Sequence, residues 1–315
     1  MQRFVGSMIL GFATLGALRT AHAVPPPADV LAMVQEQKTA AGNPALEPIL
    51  LWNESNTKNI VLLHGLFEDP SSMAKLAEAY AADGYNVFVP LLPFHGDDLV
   101  GMDNMDPRTY ANFLDRIVGS FSEAHQQLHL GGFSISGLAL SDFIGRHQDN
   151  WPLAVTHIEV YSPYLGNNPG IEDRQAFFTR GAEVTLERKH DVSHDEAVRR
   201  GRTLMERNLA AVETMRENAR KADDLPFGVS FSMYVNPDDR ITNPPAEREF
   251  FMRLEGPKEL VELDPGIVHG KVPYSQSLVQ RVRSKLGFLK AQKLKCANIT
   301  QRLMRFKNKI PGKRR

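Results

Sequence analysis

The densest chemical signal in the chain is the run Leu128-His129-Leu130-Gly131-Gly132-Phe133-Ser134-Ile135-Ser136-Gly137. It reads as an apolar strand that ends in Gly-x-Ser-x-Ser-Gly and turns at once into a helix over 136–147. A serine on so sharp a turn holds its hydroxyl clear of the backbone, where a neighbouring base can take its proton and make it a nucleophile. Such a turn admits only small residues two positions before and two after the serine. Gly132 and Ser136 fill those places around Ser134. Around Ser136 they fall to Ser134 and Leu138, and Leu138 is too large. Ser134 is therefore the favoured nucleophile and Ser136 its rival.

A nucleophile needs a rigid frame, and the rest of the chain reads as one. With 315 residues, 42% hydrophobic and 23% charged, it is neither collagen-like, low-complexity nor wholly disordered. Short apolar runs at 49–52, 60–63, 85–90, 128–132, 153–161, 229–235 and 260–263 are expected strands. Helical patterns at 28–39 (a surface helix), 70–84, 106–124, 136–147, 245–253 and 274–288 alternate with them. Alternation of this kind predicts an α/β fold, a mostly parallel sheet with helices on both faces. It lapses over 166–226, where twelve acids and eleven bases surround apolar residues at helical spacing, so a helical insertion is expected there. The stripe Phe177, Phe178, Leu204, Val212 and Met215 would face substrate or core.

From the Ser134 motif onward the chain resembles the α/β-hydrolase family, with features similar to monoacylglycerol lipases and bacterial carboxylesterases. Val61-Leu62-Leu63-His64-Gly65-Leu66-Phe67 looks like the family's His-Gly loop. The resemblance implies that the backbone N–H groups of Leu66 (or Phe67) and Ile135 form an oxyanion hole, with His64 shaping the loop. Val89-Pro90-Leu91-Leu92-Pro93-Phe94-His95-Gly96 is similar to a second family turn, with Phe94 in place of a glycine and His95 structural. The family's acid follows the strand after the insertion, two residues before a Val or Ile. That pattern selects Asp239, two before Ile241, with Asp238 as the rival. Its base stands in a loop before the final helix, where His269 lies between Gly266 and Gly270. The order Ser134, Asp239, His269 is the order of this fold.

The resemblance covers about 48–288, with a helical cap at about 166–226. It implies a serine ester hydrolase acting on a small-molecule or lipid ester. Thioesterase, amidase and cofactor-free haloperoxidase chemistry use the same triad, and a non-catalytic binding relative is the remaining alternative. One cysteine, Cys296, excludes an intrachain disulfide and a Cys-based zinc site, and no metal or cofactor is expected.

The two ends read differently from the body. Residues 1–23 have the pattern of a secretory signal peptide: Arg3, an apolar stretch over 4–18, then Ala21-His22-Ala23 before Val24 and three prolines. Export to a periplasmic or extracellular space is the expectation, followed by an N-terminal segment over 24–47. The 37 basic and 37 acidic residues balance, but 285–315 holds eleven bases and no acid, leaving 26 bases against 37 acids before it. The basic tail over 289–315 continues that charge with interspersed apolar residues, so peripheral contact with anionic membrane through 285–315 is expected and nucleic acid is not.

Overall fold

In the computed structural model, which describes residues 23–41, 43–95, 106, 108–170, 179 and 193–286, the apolar runs pair into one seven-stranded sheet. The strands are β1 (Ile49–Leu51), β2 (Lys58–Leu63), β3 (Tyr85–Val89), β4 (Leu128–Phe133), β5 (Val155–Tyr161), β6 (Ser230–Val235) and β7 (Lys258–Glu262). Their spatial order is β1-β3-β2-β4-β5-β6-β7. Only β1 runs antiparallel, against β3; every other pairing is parallel. Parallel neighbours need long crossovers, which is why helices separate them.

Alternate residues of the central strands feed two cores. Val61, Leu130, Ile158, Val160 and Phe231 face one side, covered by α1 (Ala28–Ala40), α3 (Thr109–Glu123), α4 (Ile135–Arg146), α5 (His194–Ala219) and α6 (Pro244–Arg253). Ile60, Leu62, Val87, Tyr161 and Tyr234 face the other, covered by α2 (Ala74–Ala82) and α7 (276–286). α1 is more than a surface helix, because Val30, Met33 and Val34 are buried in the first core. α7 begins later than its pattern predicts: Pro273 sits in a 3₁₀ turn, and the Ser275 hydroxyl accepts the Leu278 N–H at 3.1 Å at the helix start.

The described part of the insertion is dominated by α5. Ser193 opens it, its hydroxyl accepting the Glu196 N–H, a Ser-x-x-Glu start. Ala211, Val212, Met215 and Ala219 recur at helical spacing and are buried. The crossing with α4 is close enough that a Cβ on Gly145 would run into the Asn218 carbonyl. Val212 and Met215 therefore dock the insertion on the core. Phe177, Phe178 and the Leu204 side chain lie outside the described residues, as do 1–22 and 287–315. Among the described residues no helix is long and apolar enough to cross a membrane.

Candidate active site

Five adjacent parallel strands, β2, β4, β5, β6 and β7, end side by side, and the site is built on those ends. At the end of β4, Ser134 takes φ 55° and ψ −113°, a conformation costly for any residue with a Cβ. Three hydrogen bonds hold it there. Its N–H donates to the Tyr161 carbonyl at 3.0 Å, and its carbonyl accepts Leu138 N–H at 3.1 Å and Tyr164 N–H at 3.0 Å. A Cβ on Gly132 would stand 2.7 Å from the Ser136 carbonyl, so the tight turn excludes any side chain at 132. The result is a serine 8% exposed whose hydroxyl points off the strand end.

The structure brings Ser134, His269 and Asp239 into one chain of hydrogen bonds. His269 Nε2 lies 2.8 Å from Ser134 Oγ, and Nδ1 lies 2.6 Å from Asp239 Oδ2. Asp239 is the terminus of that chain. Its other oxygen accepts the N–H groups of Ile241 at 2.8 Å and Thr242 at 3.0 Å. Burial pushes the Asp239 carboxyl up, but the His269 hydrogen bond and charge, with those two N–H groups, bring it below the ordinary range. A carboxylate fixed in this way accepts a hydrogen bond from Nδ1–H, which holds the tautomer whose Nε2 lone pair faces the serine.

The choice between the adjacent aspartates is made by the turn. Asp238 points away and accepts the Gly266 N–H at 2.9 Å, clamping the loop that carries His269. Asn236 donates to the Ile267 carbonyl at 2.7 Å, and Asn168 to the Asp239 carbonyl at 2.7 Å. The His269 ring lies against Phe133, centroids 4.8 Å apart and planes at 32°. The sequence does not betray these supports, because each is a loop amide or aromatic with no periodic signal of its own.

The backbone N–H groups expected to receive an oxyanion lie on the residue after the serine and in the loop after β2. Ile135 is the first residue of α4, where N–H groups lack partners within the helix, and no side chain caps that end. Across from it, the turn from Gly65 to Glu68 is closed by Glu68 N–H to Gly65 carbonyl at 3.2 Å, with Phe67 at φ 61°. Leu66 sits at the head of that turn. His64 is buried and structural: it accepts Leu92 N–H at Nε2 (3.0 Å), so Nδ1 carries the proton and donates to Gly65 carbonyl at 2.9 Å. His95 is buried against it, rings 5.1 Å apart. Ser134 Oγ, not that of Ser136, meets His269; the Ser136 hydroxyl donates to the His64 carbonyl at 2.6 Å.

A cleft of about 1120 Å³ opens along the Asp239 and His269 loops, walled by Asp239, Arg240, Ile241, Pro245, Val268 and His269 among others. It reaches the imidazole but not Ser134. His125 and His129 stand four apart but on a turn and a strand, and among the described residues no group of three or more His, Cys, Asp or Glu could hold a metal.

No family model matches the chain. Over 94 residues it is 30% identical to a thermostable monoacylglycerol lipase of Bacillus sp. (strain H-257), a span of 30% of this chain and 37% of that lipase. It is similar in structure to a soluble variant of monoglyceride lipase from Saccharomyces cerevisiae, with TM-score 0.55 and 14% identity over 78% of this chain and 90% of the other. It is similar also to MGS-MChE2, an α/β-hydrolase enzyme from a lagoon-sediment metagenome, with TM-score 0.52 and 15% identity over 78% and 94%. The chain has the α/β-hydrolase fold. Within that fold, ligands bind outside the carboxyl ends of the parallel strands, which is where Ser134, Asp239 and His269 meet.

Proposed function

We propose that this chain is an exported serine hydrolase that cleaves carboxylic esters, lipid or acylglycerol esters among them, through an acyl-enzyme on Ser134. The observation that carries the reading is the unbroken relay from the Ser134 hydroxyl through His269 to a buried, ionised Asp239. His269 Nε2 takes the hydroxyl proton as Oγ adds to the ester carbonyl. The developing oxyanion is received by the N–H groups of Leu66 and Ile135, a contribution worth about 3 kcal/mol for one such donor. The tetrahedral adduct collapses, and His269 returns its proton to the departing alcohol. Water then adds to the acyl-enzyme with His269 as base, and the carboxylic acid leaves as Ser134 recovers its proton.

Lipid esters are favoured by the likeness to a monoacylglycerol lipase and a monoglyceride lipase. Export is supported by the pattern of residues 1–23 and by where the body takes hold of the chain. Val24 N–H donates to the Glu54 carbonyl at 2.8 Å, and the Trp52 indole donates to the Val24 carbonyl at 2.8 Å. A chain beginning at Val24 keeps its first residue docked.

The test is turnover of p-nitrophenyl esters, acetyl to palmitoyl, by the mature protein and by Ser134→Ala. The proposal expects hydrolysis by the first and loss of it in the second, with the chain-length profile separating esterase from lipase. Absence of turnover by the unmutated protein, together with no labelling by a fluorophosphonate, would overturn it.

A further inference from the structure

Ser136 stands where glycine is usual after such a nucleophile, and its hydroxyl has a partner of its own. The β2–β4 ladder ends at the Leu63 and Gly132 pair, so the next carbonyl, that of His64, lies beyond the reach of β4's backbone. Both His64 and Ser136 are buried. The Ser136 hydroxyl donates to that carbonyl at 2.6 Å, continuing the ladder by one side-chain rung. That rung joins two pieces of backbone at the mouth of the site. One is the root of the loop that presents the Leu66 N–H, two residues beyond His64. The other is the first turn of α4, where Ile135 immediately precedes Ser136.

We infer that Ser136 is a positioning residue for oxyanion stabilisation: its bond to the His64 carbonyl sets the spacing between the Leu66 and Ile135 N–H groups. The inference rests on the serine-hydrolase reading of Ser134. Within the loop, His64 Nδ1–H and Glu68 N–H both donate to the Gly65 carbonyl, Gly65 N–H donates to the Glu68 carboxylate at 3.4 Å, and His64 Nε2 accepts Leu92 N–H. These bonds shape the turn, and the Ser136 hydroxyl adds one that reaches it from α4. Oxyanion donors act by being placed in advance, so a small relaxation in their separation weakens transition-state binding while leaving ground-state binding nearly intact.

The experiment compares the unmutated protein with Ser136→Ala and Ser136→Gly, both small enough for the turn. Each is titrated with a fluorophosphonate so that kcat is counted per reactive Ser134. Melting temperature, KM and the affinity of an acyl trifluoromethyl ketone, whose hemiketal oxygen occupies the oxyanion position, are measured alongside. The expected result in both variants is a fall in kcat of about 10- to 30-fold, smaller than the loss of a whole donor. KM should change little, and ketone affinity should fall by a similar factor. A lower melting temperature with kcat per site and ketone affinity unchanged would make Ser136 merely structural and overturn the inference. Full activity in Ser136→Gly but not in Ser136→Ala would assign the effect to the Cβ rather than the hydroxyl, and overturn it too. An unmutated protein that neither labels nor hydrolyses esters would instead overturn the hydrolase reading and the inference with it.

Discussion

Among the described residues, two relays run from a serine through a histidine to a buried carboxylate, and they differ in the backbone around the serine. Besides Ser134–His269–Asp239, His157 Nδ1 lies 2.7 Å from Ser230 Oγ and Nε2 lies 2.8 Å from Glu159 Oε1. The distances are similar, but the two ring nitrogens exchange partners and a glutamate replaces the aspartate. Both carboxylates are held below their ordinary range against burial, Asp239 chiefly by His269 and Glu159 chiefly by Lys285 and His157. A recess of about 450 Å³ even opens beside the second set.

The backbone separates them. Ser134 is wrenched off its strand at φ 55°, and the N–H that follows it, on Ile135, is an uncapped helix start. Ser230 lies in register with His157 in the β5–β6 ladder, and the N–H that follows it, on Phe231, is spent on the Pro257 carbonyl at 3.0 Å. The backbone N–H beside Ser230 is therefore taken and not open to an oxyanion. Glu159 is also shared. Lys285 pairs with it at 3.1 Å, Tyr80 donates to it at 2.5 Å and Tyr161 at 2.9 Å, while Lys285 also contacts Ser232. These bonds tie α7 and α2 to the sheet. On the proposed reading the first constellation serves turnover, while the second holds helices to the sheet.

The comparison breaks most visibly under matched substitutions. His269→Ala should lower kcat for a p-nitrophenyl ester by about 10⁴-fold, whereas His157→Ala should leave kcat per folded molecule within a factor of about three, both read by steady-state assay. Stability should show the reverse. Lys285→Met leaves the Glu159 charge buried without its main partner and should cost about 3 kcal/mol in urea denaturation, with activity of the folded fraction retained. The two depressed carboxylates also fix an acid limit: their contribution is present above the unfolded carboxylate range and is lost as pH falls through their lower folded values. Lys285→Met should therefore move the acid unfolding midpoint, followed by circular dichroism, to higher pH.

A third buried carboxyl sharpens the contrast further, with the smallest expected effect. Glu247, in the first turn of α6, is fully buried; burial and the nearby Asp239 charge raise it well above the ordinary range, outweighing the opposing influence of Thr242. Below the unfolded carboxylate range both states are protonated and nothing is lost. As pH rises past it, only the unfolded state gives up the proton easily, so folding is penalised. Glu247→Gln should raise the melting temperature modestly at pH 8 and leave it unchanged near pH 4.

How far the sequence discloses this follows from the range over which each feature is encoded. The elbow is local: six consecutive residues from Gly132 to Gly137 state its steric demands, so Ser134 is legible from the sequence alone. Asp239 and His269 are legible through their place in the order of strands. The second constellation is not, because His157 and Ser230 meet only through strand register and Lys285 arrives from the last described helix. Asp238 and Asp239 are equivalent in sequence to within one position, and only the turn sends one carboxylate to Gly266 and the other to His269. Ser136 reads as merely small, since its hydroxyl bond to His64 joins residues 72 positions apart.

Backbone geometry, and not the serine–histidine–acid set alone, selects the nucleophile. That claim is tested most directly by treating the mature protein with an alkyl fluorophosphonate and mapping the adduct by peptide mass spectrometry. The predicted result is one stoichiometric adduct on Ser134, absent from Ser134→Ala and undiminished in Ser230→Ala. An adduct on Ser230, or labelling that survives the loss of Ser134, would contradict it.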